Sequence, residues 1–268
     1  MRNLKRTLSL ALASVMLVGM MSVGASAVNA SDFTDADEIV NKDAVSTMTA
    51  LGIINGKEDG SYFDPTGTVT RAEMAKMLCV AINGGVDPVL GVKDTPTFTD
   101  IKGHWAESYI EYCAANGIIA GRGNNKFDPT GTVSATEAAK MLLGVLGYSA
   151  EKSGLVGNDW AINTNVLANQ NGLYKKLANL NANTLLTRDN AAQMIYNALD
   201  ANMVELNAAG NYTTSQYSYT GTESVVTGTE RVWVVKIKDS SVNDAIKALD
   251  GSVYNSRQDA IDTLKEAN

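Results

Sequence analysis

Apolar residues recur at helical spacing along the first three quarters of the chain. Trp105, Tyr109, Tyr112 and Cys113 lie at i, i+4, i+7 and i+8, one stripe on one helix face. Asn116-Gly117 ends that stripe, glycine being the usual residue just past a helix end. A second stripe, Ala138, Met141, Leu142, Val145 and Leu146, follows after a polar loop, and Met74, Met77, Leu78, Ala81 and Ile82 form its counterpart upstream. Each unit reads as helix, turn, loop, helix. A helix pair this small cannot cover its own apolar face, so neighbouring units are expected to pack into one body.

The units are copies. "FTDADEIVNKDAVSTMTALGIINGKEDGSYFDPTGTVTRAEMAKML" from Phe33 and "FTDIKGHWAESYIEYCAANGIIAGRGNNKFDPTGTVSATEAAKML" from Phe98 share Phe-Thr-Asp, Gly-Ile-Ile-x-Gly, Phe-Asp-Pro-Thr-Gly-Thr-Val and Ala-Lys-Met-Leu. A worn third copy follows: "DWAINTNVLANQNGLY" restates the Trp-Ala and Asn-Gly positions, and "LTRDNAAQMIYNAL" restates the second helix start. It lacks the Phe-Asp-Pro turn. Gly-, Pro- and polar-rich linkers from Asn83 and from Gly147 separate the copies. Beyond Met203 the pattern alternates β-branched and aromatic residues as strands do, from Asn211 to Asp239. "SVNDAIKALDG" and "SRQDAIDTLKEAN" then read as helices.

The first 27 residues carry Arg2, Lys5 and Arg6 ahead of an apolar run that ends in Ala25-Ser26-Ala27, the layout of a secretory signal peptide. A membrane anchor needs about 20 unbroken apolar residues, and no later segment offers them. Cleavage after Ala27 takes away three positive charges, moving the net charge from −7 to −10. With no basic patch, that balance argues against nucleic acid. An anionic ligand would need a few local cationic groups, because the overall field repels it. Export permits a disulfide, but nothing in the spacing of Cys79 and Cys113 requires one, and both read as core thiols.

Catalytic and metal motifs fail. Triads and most zinc sites need histidine, and the chain has only His104, which reads as a structural or surface residue at a helix start. "GIINGKE" from Gly52 is too short for a phosphate loop, and Glu58 follows Lys57 where Ser or Thr is needed. "NGKEDGSYFDPT" from Asn55 puts Lys57 and Thr66 where a calcium loop needs oxygen donors and its closing Glu. Glu73 and Glu137 could in principle serve glycoside hydrolysis as a carboxylate pair, but their equivalent repeat positions indicate a repeated role instead. The expectation is a non-enzyme with no catalytic residues, metal or cofactor.

Thr70-Arg71-Ala72-Glu73 fits the capping box, in which Thr accepts from the third amide of the helix and Glu reaches back to the cap amide. Ser134-Ala135-Thr136-Glu137 keeps both capping residues and drops the arginine, so the cap needs no Arg. Thr187-Arg188-Asp189-Asn190 keeps the arginine and replaces the Glu. Arg71 and Arg188 sit at a first helical position, where open amides and the dipole favour an anion and a guanidinium adds a planar fork. On physics alone a solvated surface arginine is the equal alternative.

These residues resemble the surface-layer homology (SLH) domain proteins of bacterial cell envelopes: the Phe-x-Asp opening, Trp105-Ala106, Gly-Ile-Ile-x-Gly, Phe-x-Pro and Thr70-Arg71-Ala72-Glu73. The resemblance covers about Asp32 to Met203 and implies a mainly α fold, three tandem helix-pair repeats in a pseudo-threefold bundle, with a small α+β C-terminal segment. The expected divisions are a signal peptide (1–27), repeats at 32–86, 97–150 and, degenerate, 156–203, and a C-terminal segment at 204–268.

The resemblance further implies a secreted cell-wall or S-layer surface protein, anchored noncovalently by grooves that hold a secondary cell wall polysaccharide, often pyruvylated. Other surface-layer proteins are a second implied partner. The matching positions here are Asp35 and Asp100, Trp105 and Trp160, Gly56 and Gly121, Arg71, Glu73, Glu137 and Arg188. Val40 replaces the Trp in the first copy and Ala135 the Arg in the second. The alternatives are an SLH-targeted envelope enzyme and a purely structural surface-assembly protein.

Overall fold

The computed structural model describes residues 28–83, 85–177, 184–206, 210–214, 220–227, 230–237, 244–248, 252–254 and 263. The expected signal peptide lies outside the described residues, as does all but Thr263 of the last expected helix.

Among the described residues six helices carry the body: α1 (Lys42–Ala50), α2 (Arg71–Ile82), α3 (Glu107–Ala115), α4 (Ala135–Val145), α5 (Trp160–Gln170) and α6 (Arg188–Asp200). The chain is mainly helical, as expected. Each odd-numbered helix ends in the same way. Gly52, Gly117 and Gly172 take left-handed φ values of 68°, 69° and 71°, a conformation that costs a side-chain-bearing residue and costs glycine little. After α1 the amides of Ile53 and Gly52 turn back to the carbonyls of Met48 and Thr49. The same paired closure follows α3 (Ile118 to Cys113, Gly117 to Ala114) and α5 (Leu173 to Ala168, Gly172 to Asn169).

The even-numbered helices share a start as well. Thr70, Ser134 and Thr187 hold ψ 161° at the N-cap, and the extended strands leading into them meet. Val69 donates to the Leu186 carbonyl (2.9 Å), Leu186 to Val133 (2.8 Å) and Val133 to Val69 (2.9 Å), a closed cycle of three backbone hydrogen bonds. Isolated bridges Thr68–Thr187, Thr70–Thr132 and Ser134–Leu185 flank it. The helices that pack most closely belong to successive units: α2 against α3, α4 against α5, and α6 back against α1. Each apolar stripe is therefore covered by the next unit, and the first covers the last.

Phe63 and Phe127 are wholly buried and tilt against Phe33 (5.3 Å) and Phe98 (5.5 Å). Burying a side chain of that size stabilises the fold by about 1.5–3 kcal/mol. Trp105 departs from the helix expected of it. It lies in the turn before α3, where the His104 ring accepts the Ala106 amide at 3.1 Å, which gives His104 its structural role.

The C-terminal segment opens with an antiparallel pair, β1 (Val204–Leu206) and β2 (Tyr212–Thr214), followed by the antiparallel sheet β3 (Thr220–Thr227), β4 (Glu230–Ile237), β5 (Val253–Tyr254). A short helix α7 (Asp244–Lys247) lies between β4 and β5 in sequence. The first pair is fastened to the loop after α4. Val204 donates to the Leu146 carbonyl at 2.8 Å, and the Tyr212 hydroxyl accepts from the Ser149 amide at 2.9 Å. Gly147 permits the approach, since a Cβ there would stand 2.0 Å from the Val204 carbonyl.

Candidate functional site

Both capping boxes form. The Thr70 and Ser134 hydroxyls accept the Glu73 and Glu137 amides at 3.2 Å each, while the two carboxylates accept the cap amides at 2.7 and 2.9 Å. Thr187 caps α6 by accepting from the Asn190 amide at 3.2 Å. Local spacing alone dictates these contacts.

The arginines do something else. Arg71 is 3% exposed and crosses into the next unit, where Nε donates to the Phe127 carbonyl and Nη2 to the Ala120 carbonyl, both at 2.7 Å. Its guanidinium lies 4.3 Å from the centre of the Phe127 ring. Arg188 repeats the arrangement from the third unit to the first: Nε to Phe63 and Nη2 to Asn55, both at 2.8 Å, with the Phe63 ring at 5.0 Å. The solvated-arginine alternative is thereby overturned. Burial pushes the Arg71 guanidinium down to about 10, against the pull of Glu137, and lowers Arg188 as well. At neutral pH both stay cationic.

Asp100 and Asp35 grip the same peptides from the other side. The Phe127 and Asp128 amides donate to Asp100 at 2.9 and 2.8 Å, and the Phe63 and Asp64 amides to Asp35 at 2.9 and 2.7 Å. Burial alone would raise the Asp100 carboxyl, but the two amides and the Lys126 charge hold it below its ordinary value. Each Phe-Asp turn is thus held by an aspartate of its own unit and an arginine of the preceding one. The turn itself is tight: Asp64 and Asp128 are left-handed (φ 60° and 62°). Gly56 and Gly121 sit at backbone crossings, where a Cβ would meet the Gly60 carbonyl at 2.3 Å and the Lys126 carbonyl at 2.7 Å.

Ala135 and the third unit now explain each other. The residue at Ala135 should reach the turn of the third unit, and that unit has no Phe-Asp-Pro. Where the Phe-Asp-Pro sequence is missing, the arginine is missing.

Sequence reading passed over Arg122, Lys76 and Lys140, and weighed Lys57 only for phosphate and calcium loops. Lys57 and Arg122 follow Gly56 and Gly121 at aligned positions. Lys57 pairs with Asp64, and Arg122 with Asp128 (2.6 Å). Arg122 Nη2 also donates to both Glu137 oxygens, at 2.7 and 2.9 Å, and Arg71 Nη1 stands 3.5 Å from the same carboxylate. Burial would raise the Glu137 carboxyl, but the Ser134 amide and the two guanidiniums hold it below its usual value.

Lys76 and Lys140, also aligned, each hold an ammonium over a ring of the adjoining helix: Lys76 over Tyr109 at 5.5 Å and Lys140 over Trp160 at 5.2 Å. The pairing "Ala-Lys-Met-Leu" in both copies was the available signal. Asp87 neutralises Lys76 (3.0 Å) and accepts from the Tyr109 hydroxyl (2.6 Å). Lys140 has no salt-bridge partner among the described residues, and burial lowers it, with the Glu151 charge working the other way. Gln193 takes the corresponding place on α6 and donates to Asn197 at 2.8 Å. Trp105, 56% exposed, flanks Tyr109 with ring centres 6.4 Å apart. Val40, at the aligned place in the first unit, is exposed. Among the described residues no three His, Cys, Asp or Glu gather as a metal site, and no helix is long and apolar enough to cross a membrane.

The S-layer homology domain family matches residues 32–75 and 97–139. A cell surface protein of Thermoanaerobacter kivui is 28% identical over 76% of this chain and 26% of its own length. An S-layer protein of Bacillus licheniformis is 30% identical over 42% of this chain and 12% of its own. The exoglucanase XynX of Acetivibrio thermocellus is 28% identical over 54% and 14%. The chain thus spans about a quarter or less of the length of these curated relatives. Residues 32–75 and 97–139 are the parts that hold the two clamped Phe-Asp turns and both capping boxes. Residues 32–75 and 97–139 of this chain are thus S-layer homology repeats, and the chain around them is similar to bacterial cell-surface and S-layer proteins.

Proposed function

We propose that the chain is a non-catalytic wall anchor, holding a pyruvylated secondary cell wall polysaccharide noncovalently in the clefts between successive units. The observation that carries this reading is the repeated lysine over an aromatic ring at two helix interfaces. An aromatic face suits a sugar ring, and an ammonium beside it suits the carboxylate of a ketal-linked pyruvate. In a protein of net negative charge, such local cations are what an acidic glycan requires.

Three units in a pseudo-threefold bundle belong to the same proposal, with boundaries at 32–86, 97–150 and 156–203. The cycle through Val69, Leu186 and Val133 and the three identical glycine ends support counting the last as a repeat. Its cleft with the first unit carries Gln193 and Val40 in place of lysine and aromatic ring, so two clefts are competent. Trp105 and Trp160 provide sugar contacts. Arg71, Arg188, Asp35, Asp100, Gly56, Gly121, Glu73 and Glu137 serve binding by holding the turns and helix starts that wall the clefts. Two clefts on one polymer would add avidity.

The test is co-sedimentation of the purified mature protein with wall sacculi, before and after chemical extraction of the secondary polymer. Binding that vanishes on extraction supports the anchor. Equal binding to both preparations would replace it with protein-mediated surface assembly.

A further inference from the structure

The chain's two cysteines stand on different units, Cys79 on α2 and Cys113 on α3, and their sulfurs meet at 3.3 Å in the packed interface. Both are buried, and both are free thiols. Counting from the caps and glycine ends, the aligned pairs at the other two interfaces are Leu143 with Ala168, and Tyr196 with Met48. Apolar residues therefore serve this place, and packing alone does not call for sulfur twice. Two cysteines brought together from 34 residues apart are what a cross-link between units requires.

We propose that Cys79 and Cys113 form an intramolecular disulfide that ties the first unit to the second when the secreted chain folds. Moving the sulfurs from contact to bonding distance takes a shift of about 1.3 Å, within the reach of side-chain rotation and small helix adjustment. The oxidant is a disulfide of the thiol–disulfide exchange class. One cysteine thiolate attacks a sulfur of that disulfide and releases one oxidant thiol. The other cysteine thiolate then attacks the mixed disulfide, forming the Sγ–Sγ bond and releasing the second. The two protons go to the departing sulfurs, the cysteines lose two electrons and the oxidant gains them.

The exchange belongs to folding and not to the finished protein. Once α2 and α3 have packed, no oxidant reaches the sulfurs, and the hydrogen bond with Cys79 together with burial pushes the Cys113 thiol well above its ordinary value. The bond would join two walls of the cleft that carries Lys76 and Tyr109, since Cys79 follows Lys76 by one turn of α2 and Cys113 follows Tyr109 by one turn of α3.

The experiment is refolding of the full mature chain in a glutathione disulfide buffer and, in parallel, in dithiothreitol. Each product is denatured without further reduction, alkylated and weighed intact. The expected result is a monomer lighter by two hydrogens with no alkylated cysteine from the oxidising buffer, and two alkylated cysteines from the reducing one. The oxidised form should melt about 10 °C higher, and that difference should vanish in a Cys79→Ala, Cys113→Ala double variant. Two alkylated cysteines from the oxidising buffer, or a disulfide-linked dimer, would overturn the proposal. The mass measurement needs no variant, so it decides the matter even where the double variant does not fold. Its outcome is independent of whether the chain binds polysaccharide.

Discussion

Arg71 donates its Nε proton to the main-chain carbonyl of Phe127, 56 residues away in the next unit, at 2.7 Å. The contact joins a conspicuous charge to a peptide bond and not to an acid or a solvent-facing ligand. Because Asp100 holds the amide of that same residue, a single Phe-Asp turn is fixed from two units at once.

Arg71→Ala should therefore lower stability before it affects any ligand. The change strands the buried Phe127 carbonyl, frees the half-buried contact to Ala120 and removes the cation over Phe127, a loss of about 2–4 kcal/mol. Lysine cannot replace the fork, so Arg71→Lys should recover less than half of it. Arg188→Ala should cost a similar amount through Phe63 and Asn55. Urea unfolding followed by circular dichroism measures all three. A midpoint unchanged in Arg71→Ala would mean that the arginine is a surface residue after all.

Stability should fall in acid, and Glu137 gives the window. Its folded carboxyl is held below the ordinary value of 4.5, so the unfolded chain binds a proton more readily. The stabilisation is then complete above about pH 4.5 and is lost as pH drops through the lower folded value. Unfolding free energies measured from pH 7 down to pH 3 should show the decline. Glu137→Gln should be less stable than the parent at pH 7 and should decline less steeply. A parallel slope in the variant would remove Glu137 from the account.

Helix starts and ends were legible in the sequence because they depend on residues three or four apart: Thr70 with Glu73, Ser134 with Glu137, and the glycine after each first helix. The stripes from Met74 and from Ala138 also declared buried faces, whereas the stripe from Trp105 did not: Trp105 is exposed and Ile110, outside the stripe, is buried. No stripe could declare the partner, and the closest partners turn out to be helices of neighbouring units. For the same reason Arg71 and Arg188 read as poised for an anion at a helix start. Nothing within their own helices reveals the carbonyls of Phe127 and Phe63. The lysines went unnoticed because Lys76 and Lys140 occupy the solvent edge of their stripes, and only the neighbouring helix shows the ring beneath.

Restoring the family arginine in the second unit should harm the fold. Ala135 is 1% exposed, and the third unit lacks the Phe-Asp-Pro turn that accepts the guanidinium elsewhere. Ala135→Arg thus adds a charge at a buried position facing a unit without the Phe-Asp-Pro sequence, at a cost of about 2–5 kcal/mol. Thermal unfolding of Ala135→Arg should show a clear drop in Tm relative to the parent. A variant as stable as the parent would show that the third unit supplies acceptors without that turn.

The two lysines should contribute unequally to wall binding. Lys76 already spends its charge on Asp87 at 3.0 Å, whereas Lys140 over Trp160 keeps its ammonium for an incoming carboxylate. Lys140→Gln should weaken binding to untreated sacculi about tenfold, the worth of one charged hydrogen bond. Lys76→Gln should weaken it less, because releasing Asp87 offsets part of the ligand's gain. Trp160→Ala should match Lys140→Gln by removing the surface on which both the ammonium and a sugar ring rest. Sedimentation isotherms on the same sacculi, with urea midpoints confirming that each variant is folded, give the comparison. Equal losses at Lys76 and Lys140 would mean that Asp87 swings away when the glycan binds, and no loss at either would place the polymer elsewhere on the protein.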